Sequence, residues 1–260
     1  MSAALAAVLS LIPAALLVLS FVYYLLVARR GFDHADAQAK GGRRLLGLVL
    51  RNYWYWLHGP LEQVAIRFRV HPDVLSLGGL VMAVLAAFAF ARGWFALGGW
   101  LIVMGGTFDI LDGRVARATG KANAAGAFLD SVLDRYADFF LLLGLVLFYG
   151  SGAGLYLGLA ALLGTFVVSY ARARAEGLGA ECRDGLLQRA ERMLFLASAG
   201  ILTPIVGWLT GVAYGSLMLY VLGGLAVFTN LTALGRLRQV YRHLHDRKLT
   251  DDGTPLSERT

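Results

Sequence analysis

Long apolar runs recur near residues 3–27, 74–91, 94–108, 136–149, 153–170, 193–209 and 216–235, and they leave this chain few ways to fold. A helix needs about 20 mainly apolar residues to cross a bilayer, and within hydrocarbon an open sheet edge cannot satisfy its backbone. Some runs fall short of that length because polar residues occupy one end. Hydrophobic residues reach 58% and mean hydropathy is +0.62, more than a soluble core needs. The runs therefore predict an all-α integral membrane protein with about seven spans.

The charges predict how the chain threads the bilayer. Arg29 and Arg30 follow the first run at once, which places the N-terminus outside and residue 30 in the cytoplasm. From there, alternate connections carry Arg43, Arg44, Arg51, Arg67 and Arg69, then Arg114, Arg117 and Lys121, then Arg172, Arg174, Arg183, Arg189 and Arg192, then Arg236, Arg238 and Arg242. The outer loops hold only Arg92. The net charge of +7 thus sits in cytoplasmic connections, not on a soluble basic face that would suggest nucleic acid. The first run has no basic region ahead of it and reads as a retained span, not a cleaved signal. A single cysteine, Cys182, rules out an internal disulfide.

Residues 28–43 read as a polar linker, with Gly41 and Gly42 inviting a break. Residues 44–70 mix Leu and Val with Arg51, Arg67, Arg69 and the cluster Tyr53, Trp54, Tyr55, Trp56, the pattern of a helix lying in the headgroup layer. The tail from Asp246 to Thr260 is polar and reads as mobile. Glycine is frequent, at 32 residues, which in membrane helices signals close packing.

Four carboxylates stand at the ends of two apolar segments: Asp109 and Asp112 at i, i+3, and Asp130 and Asp134 at i, i+4. Each pair shares one helix face, and a connection of about a dozen residues predicts antiparallel neighbours whose faces converge. A cap or an Arg partner explains one Asp at a helix end. It does not explain four, because each costs about 2.5 to 3.5 kcal/mol at the centre of a span, and a like-charge pair at about 4 Å adds about 4 kcal/mol at an effective dielectric near 20. Oxygen ligands select hard dications, and two Mg²⁺ or Mn²⁺ ions would neutralise all four. Asp138 continues the series one turn deeper and reads as outside the site, with Arg135 as its partner.

The pattern Asp-x2-Asp-Gly-x2-Ala-Arg-x8-Gly-x3-Asp-x3-Asp over residues 109–134 resembles, at every fixed position, the signature of the CDP-alcohol phosphotransferase family. The resemblance implies a juxtamembrane amphipathic helix followed by a six-helix transmembrane bundle over about residues 44–245, to which this chain adds one N-terminal transmembrane helix. The implied divisions are 1–28 for that helix, 29–70 for the linker and juxtamembrane helix, 71–245 for the catalytic bundle and 246–260 for the tail. It also implies that Asp109 and Asp130 bridge two metals, that Asp112 completes the first, and that Asp134 serves the second and acts as general base. Gly113 and Arg117 would hold the CDP diphosphate. Asp73 and Ser76, in Pro-Asp-x2-Ser, and Asn123, near where the family commonly carries Ser or Thr, would touch the nucleotide. A homodimer and a CDP-linked lipid such as CDP-diacylglycerol follow from the same resemblance.

A second cationic group comprises Arg172, Arg192 and Arg236, each at the cytoplasmic end of a predicted span. Positive-inside charge explains any one of them, whereas three guanidiniums at one depth suit a dianionic phosphate. The elements Ala173-Arg174-Ala175-Glu176 and Arg189-x-Glu191-Arg192 resemble those of prokaryotic phosphatidylinositol phosphate synthases and their archaeal relatives, with Arg172 where Lys is common and Ala190 where Pro is common. That resemblance implies a phosphorylated polyol acceptor, inositol phosphate first and glycerol phosphate second. Transport of a cation or phosphorylated solute is the competing class, but transporters place such groups near mid-membrane and here the acids gather at one edge.

Overall fold

A computed structural model describes residues 3–27, 45–180 and 187–246, and every regular element among them is a helix. In chain order these are α1 (Ala3–Leu26), α2 (Leu45–Arg67), α3 (Pro72–Ala91), α4 (Phe95–Ala118), α5 (Ala124–Tyr149), α6 (Gly152–Gly177), α7 (Arg189–Thr210) and α8 (Ser216–Asp246). Five of them, α3, α4, α6, α7 and α8, are long and apolar enough to cross a membrane, and α1 contributes a shorter apolar stretch, Ser10–Leu26. Helix α5 has the length, at 26 residues, but Asp130, Asp134, Arg135 and Asp138 load its first half. The protein is an all-α integral membrane bundle. The predicted linker and tail fall almost entirely outside the described residues.

The helices run beyond the apolar runs that predicted them. Helix α4 continues to Ala118 and α5 starts at Ala124, so their connection is residues 119–123, not a dozen. Backbone hydrogen bonding does not stop at the hydrocarbon edge, and those extra polar turns carry the acids. Local signals set the ends. Arg69 adopts a positive φ of 53° after α2, and Val70 N–H reaches back to the Ala65 carbonyl at 2.9 Å. Pro72 then opens α3, where its missing N–H is no loss.

Helix α3 is the spine. It packs against both α4 and α5, while those two acid-bearing helices make little direct contact. This corrects the expectation that they are packed neighbours: a cavity separates their acidic halves. Two close crossings explain why the bundle stays tight elsewhere. A Cβ on Gly144 would collide with the backbone of Ala87, and one on Gly99 would lie 2.6 Å from the Ala197 carbonyl oxygen on α7. Phe90, Phe95, Leu145, Met218 and Leu222 fill the core at the end away from the acids.

Gly144→Val should therefore force α3 and α5 apart and destabilise the bundle by about 1 to 3 kcal/mol. Gly224→Ala, where an added methyl meets nothing within 4 Å, should be neutral or stabilising by up to about 1 kcal/mol. Thermal unfolding of the detergent-solubilised variants checks both.

Candidate active site

Four helix ends build the site. The last turns of α4 bring Asp109 and Asp112, the early turns of α5 bring Asp130 and Asp134, the first turn of α3 brings Asp73 and Ser76, and α7 begins at Arg189. Two caps hold these ends. Asn123 accepts from Gly126 N–H at 2.8 Å and donates to the Lys121 carbonyl at 2.9 Å, so both ends of its amide serve the start of α5. Gln188 N–H donates to the Glu191 carboxylate at 2.9 Å, which ties the first turn of α7.

Oxygen atoms of Asp109, Asp130 and Asp134 lie within 4.8 Å of one another. The fourth carboxylate stands apart from this trio. Asp112 lines the same cavity but is buried against α3, where Ser76 Oγ donates to it at 2.6 Å and its other oxygen faces Gly113 N–H. A residue three positions on is rotated about 60° around the helix, enough to aim one Asp at α5 and the other at α3.

Arg189 is the site residue that the sequence reading passed over. Its Nη1 lies 2.7 Å from Asp134 and 3.2 Å from Asp109, and its Nε lies 3.3 Å from Asp138. The available signal was its place as the first helical residue of the Arg-x-Glu-Arg element. Asp138 also differs from expectation: its partners are Arg189 and Arg192, the latter at 3.1 Å, and it is only 1% exposed. Arg135 turns instead to Asp134, at 3.7 Å, and donates to Ser169 on α6. Spacing of i, i+3 made Arg135 a candidate partner, but the charges on α7 reach Asp138 first.

The three Arg residues predicted to share one phosphate pocket have separate partners. Arg192 is buried on Asp138, Arg236 is buried and donates to the Val168 carbonyl at 2.9 Å, and exposed Arg172 pairs with Glu176 at 2.9 Å. Arg189 is the guanidinium that bridges Asp109 and Asp134. Arg117 is exposed at the end of α4, and a Cβ on Gly113 would come within 3.3 Å of its Nη1, so glycine leaves that side chain room. Asp73 lies 3.5 Å from His71 and beside Gly126.

Around the acidic cluster, five carboxylates face the three guanidiniums of Arg135, Arg189 and Arg192. The excess of two negative charges and the all-oxygen donor set fit a hard divalent cation. The cluster opens on a cavity of about 600 Å³ whose remaining wall is mostly apolar, including Leu80, Ala83, Ile102, Leu141 and Met193. Trp54 and Tyr55 of α2 close one side. Behind them His58 is buried: its Nδ1 lies 2.7 Å from the Trp54 carbonyl and its Nε2 2.9 Å from Thr107 Oγ1. Burial holds its pKa below the usual range against that carbonyl bond, and the charge of Arg114 adds to the lowering. Arg114 itself pairs with Glu62, lies 4.6 Å over the Tyr55 ring and donates to the Tyr55 carbonyl at 3.3 Å.

A sequence model of the CDP-alcohol phosphatidyltransferase family matches residues 69–238, the segment that carries every acid of the site. The chain belongs to that family. This CDP-alcohol phosphatidyltransferase is 36% identical over 169 residues to an archaetidylinositol phosphate synthase of Methanothermobacter thermautotrophicus, covering 65% of this chain and 84% of the relative. It is 37% identical over 146 residues to a phosphatidylinositol phosphate synthase of Cutibacterium acnes, covering 54% and 70%. Its fold matches the Mycobacterium tuberculosis phosphatidylinositol phosphate synthase solved with manganese and citrate, with a TM-score of 0.64 and 27% identity over 75% of this chain and 97% of the other. The same synthase solved with CDP-DAG bound gives 0.62 and 28%, covering 70% and 92%. The enzyme reading thus prevails over transport. Helices α1 and α2 lie outside the matched segment.

Replacing Asp138 by Asn would leave Arg192 buried with no countercharge and Arg189 without its rear support. The expected loss is about 3 to 5 kcal/mol, against less than about 1 kcal/mol for Arg172→Ala at its exposed pair. Thermal unfolding of the two variants beside the parent distinguishes these values.

Proposed function

We propose that this enzyme transfers the phosphatidyl group of a CDP-linked lipid such as CDP-diacylglycerol to the hydroxyl of a phosphorylated polyol, inositol phosphate in first place, with release of CMP. One observation carries the reading: an acidic cluster with a guanidinium set into it opens directly on an apolar cavity, so a charged headgroup and a hydrocarbon chain find their surroundings within one site. The names of the curated relatives favour the inositol phosphate acceptor. Glycerol phosphate is the second choice because it offers the same phosphate and a free hydroxyl.

Asp109, Asp112, Asp130 and Asp134 would hold Mg²⁺ or Mn²⁺, one ion matching the excess charge and a second arriving with the charge of the diphosphate. Bound there, the cations supply Lewis-acid stabilisation of the diphosphate. Asp134 accepts the proton of the acceptor hydroxyl. The hydroxyl oxygen attacks the lipid-bearing phosphorus as the bond to the CMP phosphate breaks, and CMP leaves with the electron pair. Arg117, given room by Gly113, balances charge that grows on the departing phosphate. Asp73 and Ser76 border the nucleotide. Asn123 serves it indirectly, by capping the helix that bears Asp130 and Asp134. Arg189, braced by Asp138, offers its guanidinium to the acceptor phosphate, with Arg172, Arg192 and Arg236 extending the positive field. The arginine asymmetry supports a site on the cytoplasmic side with the N-terminus outside, and a homodimer is adopted from the family resemblance.

Purified enzyme given CDP-diacylglycerol and, in parallel, inositol phosphate, glycerol phosphate, inositol and serine should form lipid product with inositol phosphate. Product only with unphosphorylated acceptors would overturn the acceptor assignment. Chelation should abolish CMP release, and added Mg²⁺ or Mn²⁺ should restore it. Asp134→Asn should lower turnover by about 100-fold or more, and unchanged turnover would remove it as the base.

A further inference from the structure

Helix α1 lies outside the family-matched segment and packs on it through one face. One face carries Ser10, Leu17, Ser20, Phe21 and Tyr24 at helical spacing, with Ser10 and Tyr24 each 1% exposed, while Leu16, Leu19 and Leu26 point outward. That inner face packs on α7 and α4, two of the helices that line the cavity. Its C-terminal half grips α2. Tyr53 donates to the Leu17 carbonyl at 3.1 Å and its hydroxyl lies 2.5 Å from Ser20 Oγ. Phe21 meets the Tyr53 ring edge-on at 4.9 Å, and Tyr24 packs at 5.5 Å on Tyr53 and 5.6 Å on Trp56.

The next two residues of α2, Trp54 and Tyr55, form the cavity wall beside Asp109 and Asp112. Helix α2 is therefore held from both sides. Arg114 and Thr107 of α4 hold it through Glu62, Tyr55 and His58, and α1 holds it from behind through Tyr53 and Trp56. A helix in the headgroup layer has no bundle of its own to locate it, so its position follows from these two contacts.

We propose that α1 is a bracket that sets the position of Trp54 and Tyr55, and through them the chain-length preference and affinity of the lipid chamber. The proposal rests on the reading that the apolar cavity receives a hydrocarbon chain of the CDP-linked lipid. Tyr53 and Tyr24 are positioning residues: neither lines the cavity. Loss of their contacts lets the wall retreat and weakens binding of a long chain in ground state and transition state alike. It leaves the acids and the acceptor side in place.

The test compares full-length enzyme with Tyr24→Ala, which removes the ring between Tyr53 and Trp56, and Tyr53→Phe, which keeps the ring and removes both hydroxyl contacts. Apparent KM is measured in mixed micelles for dioleoyl and dioctanoyl CDP-diacylglycerol. The dioleoyl KM should rise about tenfold in Tyr24→Ala and about threefold in Tyr53→Phe, with kcat and the acceptor KM within about twofold of the parent. The dioctanoyl KM should move less, so the chain-length preference narrows. An unchanged preference in both variants overturns the bracket, as does a common fall of kcat and rise of both KM values with a lowered melting temperature. If Tyr24→Ala does not fold, Tyr53→Phe decides alone. Absence of any chain-length preference in the parent enzyme sinks the chamber reading itself, and the bracket with it.

Discussion

Asp138 keeps its carboxylate deep in a helix bundle at 1% exposure, and two guanidiniums from α7 make that possible. A buried ion pair is weakly stabilising as a whole and strongly destabilising when half of it is removed. Its effect is therefore positional. With Arg192 below and Arg189 above, the pair locks the first turn of α7 to the third and fourth turns of α5. Arg189 then has its Nε occupied and its Nη1 free to reach Asp134 and Asp109. The capping contact between Gln188 and Glu191 fixes the same turn from the backbone side. Without this anchor the acidic trio would keep only Arg135, 3.7 Å from Asp134, as a nearby charge of opposite sign.

The bundle is packed unevenly, and the unevenness makes the site. At the end away from the acids, aromatic and branched side chains fill the core, and glycines let α3 approach α5 and α4 approach α7 at backbone distance. Toward the acids, α4 and α5 part around a cavity, each still resting on α3. The cavity so enclosed carries acids on one part of its wall and apolar side chains on the rest. Such a space suits a substrate with a charged head and a hydrocarbon tail. Trp54 and Tyr55 close a side of the cavity that the spanning helices leave open, which makes α2 part of the chamber and not merely an anchor.

Much of this was legible in the residues. Apolar runs predicted the helices, and arginines predicted an orientation. The spacing of Asp109, Asp112, Asp130 and Asp134 in a very specific pattern identified the family and its chemistry before any coordinates. What sequence could not resolve was partner choice. Arg135 stands three residues from Asp138 and looks like its partner, yet helix rotation sends it to Asp134 and Ser169. Arg172, Arg192 and Arg236 each turn to a different partner, so only their common charge was readable.

The sequence by itself determined that this chain must lie in a membrane as helices and that its acids would concentrate at one end of the bundle, because hydrophobicity and helical periodicity are local properties. Tertiary structure alone decided that three of the four acids gather while Asp112 turns to Ser76, that Arg189 enters their midst, and that α1 stands behind α2. Those outcomes depend on how far each helix is rotated and where it crosses its neighbours. Rotation and crossing follow from packing between residues distant in the chain, which no local pattern encodes.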